Sequence, residues 1–154
     1  MFWSERREGV SGMAVMTNRW VIWGFCVVVA AGLGVDAYVH LHLASSYAMV
    51  KTSVVSQATL FRLEGIAAIV AAVLLLVRPH WVTALIALVV SGGGVAAVLL
   101  YANTDPGRIG PLPDMYEPVW YPEKTNSLIG EAVAAGVSLL VLLVLLGRRA
   151  SARS

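Results

Sequence analysis

Residues 20–39, WVIWGFCVVVAAGLGVDAYV, form an apolar run that carries a single charged side chain, Asp36. A bilayer core about 30 Å thick is crossed by about 20 helical residues. Lipid offers no partners for unpaired backbone groups, so a helix is the form that such a run takes in a membrane. The stretch therefore predicts a transmembrane helix with an aspartate close to one of its ends.

The rest of the chain has the same character. Of its 154 residues, 58% are hydrophobic and 13% are charged, whereas soluble domains are nearer half apolar and a quarter charged. Three further runs are long and apolar enough to cross a bilayer. The sequence thus predicts an all-α, polytopic membrane protein with four transmembrane helices in one domain, residues 20–146. Its predicted spans are residues 20–39, 58–77, 81–101 and 127–146.

Lysine and arginine placement predicts the orientation. Seven of these residues flank one side of the predicted spans: Arg6, Arg7, Arg19, Arg78, Arg148, Arg149 and Arg153. The opposite loops, residues 40–57 and 102–126, carry three: Lys51, Arg108 and Lys124. Under the positive-inside rule, the N-terminal segment 1–19 and the tail 147–154 are cytoplasmic. We expect a multi-pass protein of the cell membrane, with Met1, Met13 and Met16 each offering a start.

Polar residues inside the spans gather at one depth. Counting about 1.5 Å per residue places Asp36, Glu64 and Glu131 roughly 5–9 Å inside the predicted outer surface. Arg62 shares this layer, and His40 lies one helical turn above Asp36. We call these five residues the polar cluster. Small residues at i+4 spacing predict the facing stripe of span one: Gly24, Val28, Gly32, Asp36 and His40.

Several kinds of chemistry fit the polar cluster. Asp36, His40, Glu64 and Glu131 form a candidate site for a divalent metal, since one imidazole with carboxylates suits Zn, Mn or Fe. Such a site would belong to a metal-dependent or redox-linked membrane enzyme. The same acids would suit a proton-coupled carrier, although the deeper halves of the spans offer few polar residues. A salt-bridge network in which Arg62 balances the three acids is the structural alternative.

The loop at residues 102–126 holds five of the six prolines and four acids. Proline fixes φ and removes a donor, which favours an extended loop ordered by turns. We predict that an envelope protein docks on the apolar residues of this loop: Met115, Tyr116, Trp120 and Tyr121.

The sequence contains no complete catalytic motif, so the favoured function is a non-catalytic accessory or interaction protein. No basic run interleaved with aromatics indicates nucleic-acid binding, and SGGG at residues 91–94 is interpreted as a packing notch or kink.

Three strings carry a resemblance: DAYVHLHLASSY at residues 36–47, LFRLEG at residues 60–65 and GPLPDMYEPVWYPEKTN at residues 110–126. Together they resemble a group of small four-span integral membrane proteins of high-GC Gram-positive bacteria, over residues 16–146. The proline-rich string is the most specific part. The resemblance implies the four-span topology, and it implies that the outer loop, Asp36 and His40 belong to one design. It implies no particular activity.

Overall fold

A computed structural model of the protein describes residues 18–152, and it confirms the predicted all-α class. The four long helices are α1 (Arg19–Leu43), α2 (Gln57–Val77), α3 (Trp81–Asn103) and α4 (Pro122–Ser151). A short 3-10 helix, Ala44–Tyr47, follows α1. All four long helices have the length and composition to cross a membrane, with mean hydropathy between 1.9 and 2.5 over their apolar windows. The protein is therefore a multi-pass membrane protein whose helices contact the lipid bilayer.

Residues 1–17 and 153–154 lie outside the described residues. The predictions that concern Arg6, Arg7, Arg153 and the three candidate starts fall in these residues. The cytoplasmic placement of the termini stays a prediction, and so does the identity of the membrane. We name the two ends of the bundle by their connections. The loop end carries residues 48–56 and 104–121, and the turn end carries residues 78–80.

Local signals set the ends of the helices. The side chain of Asn18 accepts a hydrogen bond from the backbone N–H of Trp20 at 3.0 Å and so caps α1. Ser56 caps α2 in the same way, through the N–H of Thr59 at 3.1 Å. His80 caps the start of α3 directly after Arg78 and Pro79, which leaves a very short turn between α2 and α3.

The first and fourth helices are longer than their predicted spans. α4 begins at Pro122, five residues before the predicted start, because proline suits the first position of a helix. Glu123 in its first turn and Arg148 and Arg149 in its last turn complement the helix dipole. At 1.5 Å per residue, α4 is about 45 Å long and exceeds the bilayer core. The proline-rich connection correspondingly shrinks to residues 104–121.

The core runs along the middle of the bundle. α1 packs against both α2 and α4, α3 packs mainly against α4, and α2 and α3 pack less closely than these three neighbouring pairs. Buried side chains from all four helices fill this core, among them Cys26, Val29, Leu33, Ala68, Ala71, Leu75, Ala84, Ala87, Ala134 and Val141. The stripe of α1 that was predicted to face the other helices is wrong in its half nearest the turn end, because Gly24 and Val28 are exposed there. Each i+4 step advances about 400° around a helix, so a row of such steps drifts off the buried face.

α1 and α4 approach each other closely at a pair of glycines. A Cβ atom added to Gly32 would come 2.5 Å from the carbonyl oxygen of Gly130, and one added to Gly130 would come 2.7 Å from the carbonyl oxygen of Gly32. Only glycine at both positions permits this contact between backbones. Asp36 lies one turn from Gly32, and Glu131 is next to Gly130, so the crossing determines how closely their side chains meet.

We predict that Gly130→Ala destabilises the bundle, because the new methyl group must force α1 and α4 apart. The expected loss is about 1–3 kcal/mol, the usual cost of overpacking a core. It is measured as a lower apparent Tm of the purified protein in detergent. Gly136→Ala is the matched control on the same helix, since a Cβ there would meet no atom within 4 Å. Equal losses in the two variants would contradict the role of the glycine crossing.

Candidate functional site

Asp36 is the centre of the buried polar groups. Its side chain is fully buried, and its Oδ1 accepts a hydrogen bond of 2.7 Å from the Ser127 hydroxyl on α4. Nδ1 of His40 lies 2.7 Å from the same oxygen. The histidine follows the aspartate by four residues on one helix, which places the two side chains on one face. A proton on Nδ1 therefore joins His40 to Asp36 without help from another helix.

Glu131 completes a three-residue group. It is fully buried, and neither of its carboxyl oxygens has a hydrogen-bond partner among the described residues. One ligand atom each from Asp36, His40 and Glu131 can be chosen so that all three lie within 4.8 Å of one another. We call these residues the Asp–His–Glu group. The second carboxyl oxygen of Asp36, Oδ2, is also buried without a partner in the described chain.

Gly94 of α3 makes room for the Glu131 side chain. A Cβ atom at this position would overlap the Glu131 carboxyl group. The predicted packing notch at residues 91–94 thus has a definite occupant, an acid from the neighbouring helix. The sequence located the notch, but nothing in it indicated which side chain would fill the space.

The other two members of the predicted polar cluster are placed differently. Glu64 is half-buried beside the Asp–His–Glu group, within electrostatic range of Asp36 and His40, but is not one of its three members. Arg62 is exposed on α2. The only ion pair recorded for the described part of the cluster joins His40 to Asp36. The described residues therefore do not form the salt-bridge network that was expected to include Arg62. Residues two apart on a helix point about 200° apart, so Arg62 and Glu64 lie on different faces of α2.

A cavity of about 380 Å³ opens at the loop end, beside the Asp–His–Glu group. Its walls are mostly apolar and come from all four helices and from the proline-rich loop. His40, Glu64 and Ser127 contribute its polar lining near the group, and Glu117 and Lys124 contribute polar lining from the loop and the start of α4. The cavity therefore reaches His40 and Ser127, the two residues that contact the Asp36 carboxyl group.

The proline-rich loop is fastened over this cavity. The backbone N–H of Glu117 donates to the carbonyl oxygen of Tyr101 at 3.0 Å, and the Lys124 ammonium donates to the carbonyl oxygens of Glu117 and Val119. The Thr52 hydroxyl donates to the Pro111 carbonyl oxygen at 2.8 Å, which joins the two loops at this end. These contacts come from the two loops, from α3 and from α4, so the loop is part of the folded domain.

The four predicted docking residues divide into two pairs. Met115 and Tyr121 line the cavity, whereas Tyr116 and Trp120 are exposed. The hydroxyl groups of Tyr121 and Tyr47 are 2.8 Å apart. Burial, followed by this hydrogen bond, raises the pKa of Tyr121. Its hydroxyl accordingly stays protonated at neutral pH. The hydrogen bond to Tyr47 holds the last residue of the proline-rich loop against the 3-10 helix.

Comparisons with protein-family models, with curated proteins and with solved structures found no match to this chain. The fold and the site define its class on their own. It is a small four-helix integral membrane protein with a buried Asp–His–Glu group below a loop-covered cavity.

We predict that Ser127→Ala weakens the contact between α1 and α4, because it removes the hydroxyl that donates to Asp36. The expected loss is about 1.5–3 kcal/mol, as for a hydrogen bond to a charged group. Thermal unfolding in detergent measures it. Ser138→Ala is the matched control, since the buried Ser138 hydroxyl has no partner among the residues described. A loss in the control as large as in Ser127→Ala would show that the hydrogen bond is not the cause.

Proposed function

We propose that the protein binds a divalent cation through Asp36, His40 and Glu131. The observation that carries the proposal is the buried Glu131 carboxyl group, whose two oxygens lack partners while two other ligand-type side chains lie beside it. Burying an unpaired carboxylate is costly, and proteins compensate with a counter-charge, a proton or a metal ion. A cation in this place would satisfy both Glu131 and the free oxygen of Asp36.

The ligand chemistry favours a borderline transition metal. Two carboxylates and one imidazole suit Zn²⁺, Mn²⁺ or Fe²⁺. Zinc bonds to nitrogen and oxygen are about 2.0–2.2 Å long, so the three ligand atoms would draw closer together than their present 4.8 Å limit. Glu64, part of the four-residue site expected from sequence, is left out of the ligand set because it lies outside this group.

Three protein ligands leave a coordination position for water or another small molecule. His40 and Ser127 line the cavity, so this position would be approached from the cavity side. The arrangement supports cation binding without assigning a reaction. A metal-dependent enzyme would use the same residues, and a turnover assay on the metal-loaded protein is needed before that name applies.

The proposal predicts near-stoichiometric metal in protein purified without an affinity-tag metal, measured by elemental analysis. Protein that is recovered empty is expected to take up one equivalent of added Zn²⁺ or Mn²⁺. His40→Ala and Glu131→Gln should each weaken binding by at least about tenfold, since even supporting residues of metal sites contribute that much.

Matched controls come from residues of the same types outside the group. His42→Ala removes an exposed histidine that stacks on Tyr38, and Glu123→Gln changes an acid in the first turn of α4. Both should bind metal like the unchanged protein. Repeated preparations without metal and without uptake of added ions would contradict the proposal. Metal loss that is equally large in the controls would assign the ion to another site.

Docking of an envelope protein on residues 102–126 is a second proposal. Tyr116, Val119 and Trp120 support it, because they are exposed on a loop that is fastened to the bundle. Aromatic side chains held on a rigid support are typical of binding hot spots. Since Met115 and Tyr121 face the cavity, the proposed surface is confined to these three residues.

For this second proposal we expect a crosslinked partner in native membranes that is lost in the Tyr116→Ala, Trp120→Ala double variant. The reason is the loss of most of the exposed aromatic area of the loop. Trp20→Ala, which removes an exposed indole at the turn end, is the control and should keep the crosslink. Recovery of the chain alone from native membranes, in every variant, would refute the docking role.

A further inference from the structure

The cavity at the loop end combines an apolar body with an acidic wall. Aromatic rings line it on several sides, from Tyr47, Phe61, Tyr101 and Tyr121. Glu64 faces it from α2, and the buried Oε1 of Glu64 has no hydrogen-bond partner within residues 18–152. A cavity of about 380 Å³ falls within the range of small-molecule sites, about 300–1,000 Å³.

The charges around the cavity are predominantly negative. Four acids line it or lie directly behind its wall: Asp36, Glu64, Glu117 and Glu131. Two basic side chains, His40 and Lys124, oppose them. The Lys124 ammonium is already held by the carbonyl oxygens of Glu117 and Val119 and lies 5.0 Å from the centre of the Trp120 ring. With a divalent ion bound to Asp36 and Glu131, and with neutral His40, two acids would still oppose one lysine.

One side of the cavity is lined by residues of α2 and α3 that are exposed on the outside of the bundle. Leu63 on α2 is 58% exposed although it lines the cavity, and the lining residues Gly93 and Ala97 on α3 are exposed too. α2 and α3 are joined by the short turn at the turn end and pack less closely than the other neighbouring helix pairs. A molecule dissolved in the membrane could therefore enter between these two helices without crossing the loop.

We propose that this cavity binds an amphiphilic organic cation, with its charged centre near Glu64 and its apolar body between α2 and α3. Aromatic faces attract cations through their quadrupoles, and Glu64 supplies the opposite charge. An anion of the same shape would meet the uncompensated acids. The inference goes beyond the metal site, because Glu64 lines the cavity and is outside the Asp–His–Glu group.

The test compares tetraphenylphosphonium with tetraphenylborate, a cation and an anion of nearly the same size and shape. Binding is measured on the full chain in nanodiscs of zwitterionic lipid, with chelator present and with the signal of empty nanodiscs subtracted. We expect saturable binding of one cation per chain, at least about tenfold tighter than that of the anion, as one charge-assisted contact would provide. Glu64→Gln should remove most of this preference, whereas Glu123→Gln should keep it.

A second pair of variants tests the location of the site without changing charge. Gly93→Leu adds a bulky side chain at a position that lines the cavity, where a Cβ would meet no atom within 4 Å. Gly92→Leu has the same open surroundings on the same helix but does not line the cavity. Cation binding should be lost in Gly93→Leu and kept in Gly92→Leu.

Three results would overturn the inference: no saturable cation binding, equal binding of the two ions, or full binding in both Glu64→Gln and Gly93→Leu. Equal binding of the two ions would identify an apolar cavity that ignores charge. Cation binding by a protein that takes up no metal would refute the metal proposal alone. Metal uptake without cation binding would refute only this inference.

Discussion

The rest of the structure depends on the contact between Gly32 and Gly130. Inside a bilayer the hydrophobic effect does not press helices together, so close backbone packing between small residues supplies much of the association. The contact brings α1 and α4 near enough for the Ser127 hydroxyl to reach Asp36, 2.7 Å away. It also sets Glu131 beside Asp36. Without glycine on both helices, the Ser127 hydroxyl and the Glu131 carboxyl group would lie farther from Asp36.

Burial of acids in a membrane domain has to be compensated locally. Insertion scales give about 2.5–3.5 kcal/mol for an acid at mid-bilayer. Asp36 is compensated by His40 and Ser127. Both carboxyl oxygens of Glu131 and the Oε1 atom of Glu64 lack such partners among the residues described. This contrast distinguishes the hydrogen-bonded Oδ1 of Asp36 from the unpartnered carboxyl oxygens of Asp36, Glu64 and Glu131, which are suited to a ligand.

The sequence predicted well how deep each polar residue lies along its helix, and poorly which side of each helix faces its neighbours. Hydropathy located all four helices, since span length follows from bilayer thickness. Depth along each span placed Asp36, Glu64 and Glu131 in one layer. Which side chains face each other depends on helix crossings, and a single sequence does not contain these. The sequence therefore placed Arg62 with acids that it does not contact. It also gave no sign that the Glu131 carboxyl group occupies the space left by the missing side chain of Gly94. The extra length of α4 was visible in Pro122, Glu123 and the two terminal arginines, but the apolar window counted only its central part.

Asp36 and His40 lie on one helix, whereas Glu131 lies on another. The pair on α1 keeps its geometry if the helices slide, but the distance to Glu131 changes with every adjustment of the α1–α4 crossing. A ligand held by all three residues would consequently be coupled to the crossing, and its binding energy would appear as added stability of the bundle. Binding of a ligand to the Asp–His–Glu group and close packing of α1 against α4 would then favour each other, so a change in one would be measured as a change in the other.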